Sequence, residues 1–554
     1  MKKLLFAFLA CLALAALAWF VGRPAYRHYK EMRSVAQAKN FMEKADYRSA
    51  SLSARQALMA NPSNIDATKI MAQLAEISRS PLLIHWRQRV AELEPSVTNK
   101  LLLATAAMRL QPPPFALASQ TLEELASSAT NDPAYHVTAA ELALRQQKLP
   151  EAEARFARAA ELQPDNELHK LNLAVLQLRS TNASVSDQAR KTLEQLATST
   201  NTGPAALRWL IGSALLKRDL GDAEKFSTTL LHDSRATLED RLQHSAILKQ
   251  SNPAEFASFL ANLKSTVSSN AGQSHALSTW MIANDMADNA FSWLTNFPAK
   301  LRAEQPLPVA LSECYIARRD WTGLDAYLQK ENWAEMEFLR YAYLAHAAFS
   351  QQQTRAAESR WAMAVQKAGD RIGALTLLAN MPYASKTAEA REELLWKIAQ
   401  RHPTEKWALR ELERQYAGRG NTSSLNKVYS TLSSYEPKNI YARNNFAATA
   451  LLLGRNLPEA HQTASELYAA HPNEPVIAST YAFSLHLQGR TRPALAALEK
   501  LPADKLESPT VALYYAVLLK ADGQTNKANH YLSCATNSIT LPEEKALLIQ
   551  TTSR

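Results

Sequence analysis

Two pairs of polar residues have spacings that some enzymes and metal sites use. Ser424 and Lys427 have the Ser-x-x-Lys spacing of certain acylating enzymes. They lie at a predicted turn between two helices, where a solvated pair is the simpler interpretation. His530 and Cys534 are four residues apart, so they share one helix face and form a possible half of a metal site. Two ligands do not make a site, and packing or surface exposure is the favoured interpretation of this pair.

The rest of the sequence contains no signature of catalysis. It has no P-loop, GxGxxG, GxSxG or HExxH motif, and we predict a protein that is not an enzyme and binds no cofactor and no metal. The net charge is +10, and residues 1–100 account for most of it, with 15 Lys and Arg against 7 Asp and Glu. The remainder is nearly neutral, whereas a nucleic-acid-binding body has a basic face along its length. We therefore expect no nucleic-acid partner.

Residues 1–22 contain an apolar run that is predicted to cross a membrane. It extends over 18 residues from Leu4 to Val21, and at about 1.5 Å per residue it just spans a hydrocarbon core of about 30 Å. We predict an uncleaved single-pass anchor with an extracytoplasmic body, because the N-terminus looks like an export signal. Cleavage at Ala16-Leu17-Ala18 with secretion, and a cytoplasmic body, are the alternatives; Phe8 to Cys11 only loosely matches a lipoprotein box.

Residues further along the chain recur at a fixed interval. The 554 residues include only 13 glycines, which favours helices joined by short loops. Near the C-terminus, glycines, alanines and prolines each recur about every 34 residues, and such a period is typical of repeat architectures. The recurring residues are Gly454, Gly489 and Gly523, then Ala460, Ala494 and Ala528, then Pro403, Pro437 and Pro472.

This pattern resembles the tetratricopeptide repeat (TPR) family, whose unit is a 34-residue helix-turn-helix. Residues 133–166 form one such unit, in which Ala140, Ala152 and Ala159 would let the two helices approach closely. Phe156 would fill the gap between the helices, and Pro164 would end the second one. We therefore predict an all-α fold, an α-solenoid of stacked TPR and TPR-like hairpins.

The resemblance is strong over residues 34–166 and 403–535 and weak from about 200 to 400. We predict an N-terminal array at 23–200, degenerate hairpins at 201–400, a C-terminal array at 401–535, and a capping helix and tail at 536–554. Six tryptophans cluster in the degenerate region, where core packing is the favoured interpretation and a ligand groove the alternative. They are Trp280, Trp293, Trp321, Trp333, Trp361 and Trp396.

The resemblance also implies a binding surface. In TPR proteins the first helix of each unit lines a concave face that holds peptides, and here arginine and asparagine donors would lie on it beside aromatic rings. The family's lysine and asparagine carboxylate clamp is not reproduced, so binding of chaperone tails is not expected. The alternative is that these are solvated first-helix residues. The candidates are Trp407, Arg410, Arg414, Tyr441, Asn444, Phe483 and His486.

The function predicted from these observations is a non-enzymatic, membrane-tethered TPR scaffold that binds a protein or peptide partner. Its membrane contact would be the segment from Leu4 to Val21. Two alternatives are a structural component of an envelope export or polysaccharide-secretion assembly, and an enzyme with a site in the irregular middle.

Overall fold

The computed structural model describes residues 23–110, 113–535 and 541–553, and over these ranges the chain is helical with no β-strand. Backbone contacts divide the chain into two compact units, residues 1–273 and residues 274–554. The predicted anchor from Leu4 to Val21 lies outside the described ranges. Within them, no helix is both long enough and apolar enough for a membrane crossing.

The helices follow one another through short connections. Up to residue 267 they are α1 (Arg23–Glu43), α2 (Tyr47–Ala60), α3 (Ile65–Ile77), α4 (Leu83–Leu93), α5 (Val97–Arg109), α6 (Phe115–Leu125), α7 (Pro133–Arg145), α8 (Leu149–Leu162), α9 (Glu167–Gln177), α10 (Ala183–Leu196), α11 (Gly203–Leu216), α12 (Leu220–Leu231), α13 (Leu238–Ser251) and α14 (Pro253–Val267).

From residue 271 onward they are α15 (Ala271–Ala283), α16 (Ala287–Thr295), α17 (Ala299–Arg302), α18 (Leu307–Ala317), α19 (Trp321–Lys330), a 3-10 turn (Ala334–Met336), α20 (Glu337–Ser350), α21 (Thr354–Ala368), α22 (Ile372–Ala379), α23 (Pro382–Lys386), α24 (Ala388–Arg401), α25 (Trp407–Gly418), α26 (Thr422–Tyr435), α27 (Ile440–Leu453), α28 (Leu457–Ala470), α29 (Pro475–Leu487), α30 (Thr491–Leu498), α31 (Ala503–Leu506), α32 (Pro509–Ala521), α33 (Thr525–Ala535) and α34 (Pro542–Ser553).

Neighbouring helices pair through buried alanines, and α7 and α8 show how. Ala140, Ala152 and Ala159 have no exposed surface, and the ring of Phe156 is buried with them. Small side chains allow two helices to approach closely, and a large ring then fills the remaining space at the density of a protein interior. Helix α8 ends at Leu162, before Pro164. The prediction of an all-α fold built from repeated helix pairs is confirmed.

A left-handed residue ends the first helix of many pairs. Gly454, Gly489 and Gly523 have φ angles of 62°, 75° and 83°, a region that glycine enters without the steric cost that a Cβ brings. Gln147 and Arg218 have φ angles of 62° and 57° at the corresponding place in earlier pairs. The same turn therefore recurs without its glycine, so the glycine period alone does not mark every turn.

A second short motif separates one pair from the next. Proline prevents the second helix from continuing, and two residues later an asparagine side chain accepts a hydrogen bond from the backbone of the following first helix. The motif occurs at Pro62 and Asn64, Pro164 and Asn166, and Pro437 and Asn439.

The middle of the chain is helical but irregular, because several of its helices are short. Helix α17 has four residues and α23 has five. Trp333 and Trp361 are buried in the core there, and Trp321 and Trp396 pack against the same cluster. Trp361 also lines a cavity of about 580 Å³ with Tyr383. Trp280 and Trp293 are half-buried.

Cys314 and Cys534 are free thiols. The domain boundaries at 200 and 400 stay predictions.

Replacing the left-handed glycine tests the turn directly. No atom lies within 4 Å of a Cβ built on Gly489, so Gly489→Ala should destabilise only through its backbone conformation, by about 1–2 kcal/mol. Gly418→Ala is the matched control, because Gly418 ends helix α25 and is equally open; it should be neutral or stabilising, by up to about 1 kcal/mol. Urea unfolding measures both, and equal effects would contradict this account of the turn.

Candidate protein-binding surface

The predicted site residues lie on the first helices of three consecutive pairs in the second unit. These helices, α25, α27 and α29, begin at Trp407, Ile440 and Pro475, and α32 is the first helix of the last pair. We call the surface that α27, α29 and α32 share the first-helix face. Helices α27 and α29 contact each other, as do α29 and α32, so side chains of successive pairs form one continuous surface.

The residues of α25 are partly engaged with their own helix and core. Arg414 is exposed, and its Nη2 and Nε donate to Oε1 and Oε2 of Glu411 at 2.7 and 3.1 Å. Although burial alone would raise it, hydrogen bonds from Arg414 and Gln415 hold the pKa of Glu411 below its ordinary value. Arg410 is exposed, and Trp407 packs half-buried against the core. The arginines therefore offer charge at the surface, whereas the indole contributes mainly to stability.

The residues of α27 and α29 differ strongly in exposure. Tyr441 is 53% exposed, but Asn444 is only 3% exposed, and its Oδ1 has no hydrogen-bond partner among the described residues. Phe483 is 4% exposed and belongs to the apolar cluster of the first-helix face. Burial lowers the pKa of His486, whose Nδ1 lies 3.0 Å from Thr491 Oγ1. That the seven residues bind a peptide stays a prediction.

The first-helix face is covered in part by the last helix of the chain. Helix α34 contacts α27, α32 and α33. Leu547 packs on the cluster that contains Ala447, Leu451 and Phe483, and with Leu548 it also packs on the cluster that contains Val517. The sequence analysis expected this helix to cap the last pair. It does contact α32 and α33 of that pair, but it also reaches α27, two pairs earlier.

Two carboxylates fix the start of α34. Thr422 Oγ1, in the first turn of α26, donates to Glu543 Oε2. Tyr514 Oη, on α32, donates to Glu544 Oε1 at 2.8 Å. Burial raises the pKa of Glu544, because the charged form of a carboxyl is costly away from water. Helix α34 thus lies on the first-helix face, with polar contacts at its start and leucine contacts further along. We call the part of this face that α34 covers the groove.

The two polar pairs from the sequence have structural partners. The backbone amide of Ser424 donates to Asn421 Oδ1 at 3.0 Å, as part of a helix cap. The Lys427 ammonium lies 4.3 Å from the centroid of the Trp396 ring, a cation–π contact. His530 Nε2 lies 3.2 Å from Glu507 Oε1. No group of three metal-ligating side chains occurs in the described part of the chain.

The first unit has an apolar groove that the sequence analysis missed. It has a volume of about 530 Å³ and lies between α9 and α11, where Val175, Gly212 and Leu216 line it and Arg179 and Lys217 are close by. Trp209 is 40% exposed and Leu216 77% exposed. The sequence did contain a signal for this groove. Trp209 and Leu216 are large apolar residues seven positions apart on one first helix, and that spacing places them on the same side of the helix.

A bidentate ion pair fixes the helix that carries Trp209. Arg208 Nε and Nη2 donate to Oδ1 and Oδ2 of Asp240, each at 2.8 Å, and join α11 to α13. The backbone amide of Thr237 donates to the same carboxylate at 2.8 Å. Hydrogen bonding by Arg208 lowers the pKa of Asp240 to about 2. Adjacent first helices of this unit are therefore tied by a charge-assisted contact.

Comparison with known proteins finds only distant similarity. No protein-family model matches the chain, and no curated protein sequence matches it significantly. Similar solved structures include PilF of Pseudomonas aeruginosa, with a TM-score of 0.31, 16% identity, and coverage of 39% of this chain and 96% of that one. For the APC/C Cut9–Hcn1 hetero-tetramer, the TM-score is 0.28 and the identity 12%, and the match covers 96% of this chain and 99% of that one. For Naa15/Naa10 bound to HypK-THB, the TM-score is 0.26 and the identity 14%, and the match covers 94% of this chain and 78% of that one.

The ion pair between α11 and α13 predicts an acid-dependent contribution to stability. The folded pKa of Asp240, about 2, lies below its unfolded value of about 3.9. Its contribution is therefore complete above about pH 4 and is lost as the pH falls through about 2. Asp240→Asn should lower the free energy of unfolding by about 1–3 kcal/mol at neutral pH, and the difference should shrink in acid. Denaturant titrations across this pH range measure it.

The control for that measurement is Glu239→Gln, which removes an exposed carboxylate from the same helical turn. It should change stability by less than about 1 kcal/mol, as expected of a surface charge near a helix N-terminus. A loss at Asp240 that is independent of pH would contradict the assigned ion pair.

Proposed function

We propose that the chain is a non-enzymatic scaffold that binds protein or peptide segments on the first-helix face of its second unit. The observation that supports this most is α34, which this face holds through leucine packing and two carboxylate hydrogen bonds. A surface that accommodates one amphipathic helix has the shape and donors to accommodate another.

Exposed residues of α25 and α27 provide further contacts for a ligand. Tyr441, Arg410 and Arg414 are exposed on α25 and α27. Aromatic and arginine side chains are the types that contribute most to binding energy at protein interfaces. The buried Oδ1 of Asn444 has no hydrogen-bond partner within the described part of the chain, and Asn444 lies on the same side of α27 as Leu451, seven residues later. A ligand donor that reached this oxygen would remove the cost of leaving it unpaired.

Site-specific crosslinking tests the proposed surface. A photoreactive residue at position 441 should crosslink a partner in native membranes, and Arg410→Ala with Arg414→Ala should reduce the yield roughly tenfold or more, because each removes a charged donor. Position 435 is the control, since Tyr435 is also exposed but lies on a second helix, α26. Equal crosslinking from both positions would place binding elsewhere.

We further propose that the segment from Leu4 to Val21 tethers the scaffold to a membrane, which would raise its effective concentration near membrane partners. The full chain should stay with membranes after an alkaline wash and keep its first residues in an intact-mass measurement. A chain that starts at Arg23 is the control and should be released. A mature soluble species that begins at Trp19 would show that the segment is a cleaved signal.

A further inference from the structure

Helix α34 is amphipathic with respect to the groove. The side chains directed towards the protein are half-buried or buried and recur every three or four residues, whereas Lys545, Ala546 and Ile549 are exposed. Ile549 is 63% exposed. The inward residues are Leu541, Glu543, Glu544, Leu547, Leu548 and Thr551. This is the anchor pattern of a helix that binds in a groove.

The groove is chemically matched to the start of α34. Glu543 approaches the N-terminus of α26 through Thr422, where the helix dipole favours a negative charge. Glu544 accepts a hydrogen bond from the hydroxyl of Tyr514. These donors belong to two different hairpins, so an acidic pair in the first turn of a bound helix fixes both its position and its direction.

The docked helix is short and contributes few apolar side chains to its contacts. It has 12 residues, and helices of this length are marginal in water unless packing stabilises them. Its apolar contacts come mainly from two half-buried leucines. Burial also raises the pKa of Glu544, so at neutral pH the groove holds a carboxyl whose ionised form it disfavours. A competing helix could therefore displace α34 without disturbing the alanine-packed hairpins beneath it.

We propose that α34 occupies in cis the groove that an amphipathic helix of a partner protein binds in trans. The partner helix has the α34 pattern, an acidic pair in its first turn followed one turn later by two adjacent apolar residues. Binding of the partner and docking of α34 exclude each other, so the chain limits access to its own surface. This inference rests on the proposed function of the first-helix face.

The test uses the full chain in detergent solution and a fluorescent peptide, LPEEKALLIQTTS, which reproduces residues 541–553. Replacing both groove leucines, Leu547→Ala with Leu548→Ala, leaves the groove itself unchanged and should release α34. Peptide affinity, measured by anisotropy, should then rise at least roughly tenfold over the wild type. Ile549→Ala is the matched control on the exposed side and should leave the affinity unchanged.

Two further changes should lower the peptide affinity instead of raising it. Glu544→Gln in the chain keeps a hydrogen-bond acceptor but removes the buried charge, so α34 should dock more tightly and peptide affinity should fall. A peptide with lysines in place of its two glutamates should lose binding to the double-leucine variant by roughly tenfold or more, because it lacks both carboxylates.

Unchanged peptide affinity in the double-leucine variant would overturn the proposal and make α34 a permanent cap. Dimerisation of the wild-type chain that is lost in that variant, seen by light scattering, would also overturn it, because the occupant would then be α34 of a second copy. Either failure is distinguishable from failure of the proposed function, since crosslinking from position 441 would persist in both cases.

Discussion

Close packing of helices through alanine is the interaction on which the rest of this structure depends. Ala140 and Ala152 in the first unit, and Ala447, Ala482 and Ala516 in the second, have no exposed surface. A larger side chain at any of these positions would overpack the contact, which typically costs about 1–3 kcal/mol. Because the contacts lie between helices, each first helix keeps another side free, and successive first helices form a continuous surface.

That surface explains why the last helix of the chain can act as a ligand. Leu547 packs on a cluster of alanines, Leu451 and Phe483, which the closely packed helices below bring together. The hydrogen bonds from Thr422 and Tyr514 then select a direction for the helix. The packed hairpins thus form the surface on which α34 lies, and a few polar groups set the direction of α34 on it.

The fold was largely predictable from the sequence, because the recurring alanines and prolines directly indicate close helix packing and helix ends. The residue at the turn was less predictable, because Gln147 and Arg218 adopt the left-handed conformation without being glycine. In the middle, short helices such as α17 and α23, each with a proline at or just before its first residue, interrupt the spacing.

The binding surface was predictable only in outline. The candidate residues do lie on first helices, as expected, but the burial of some of them depends on packing between elements that the sequence alone does not show. That these residues bind a partner stays a prediction. Phe483 was expected to face a peptide, and instead it belongs to the cluster on which Leu547 packs. Asn444 is likewise buried rather than presented at the surface. Long-range contacts of this kind leave no periodic signal in a single sequence.

Hydrogen exchange of residues 542–553 in the full chain tests this account most directly. If α34 lies on the first-helix face, its amides should be protected, and replacing Leu547 and Leu548 with alanine should remove that protection while α27 and α29 stay protected. Amides of α34 that exchange in the intact chain as fast as those of an unfolded peptide would contradict it.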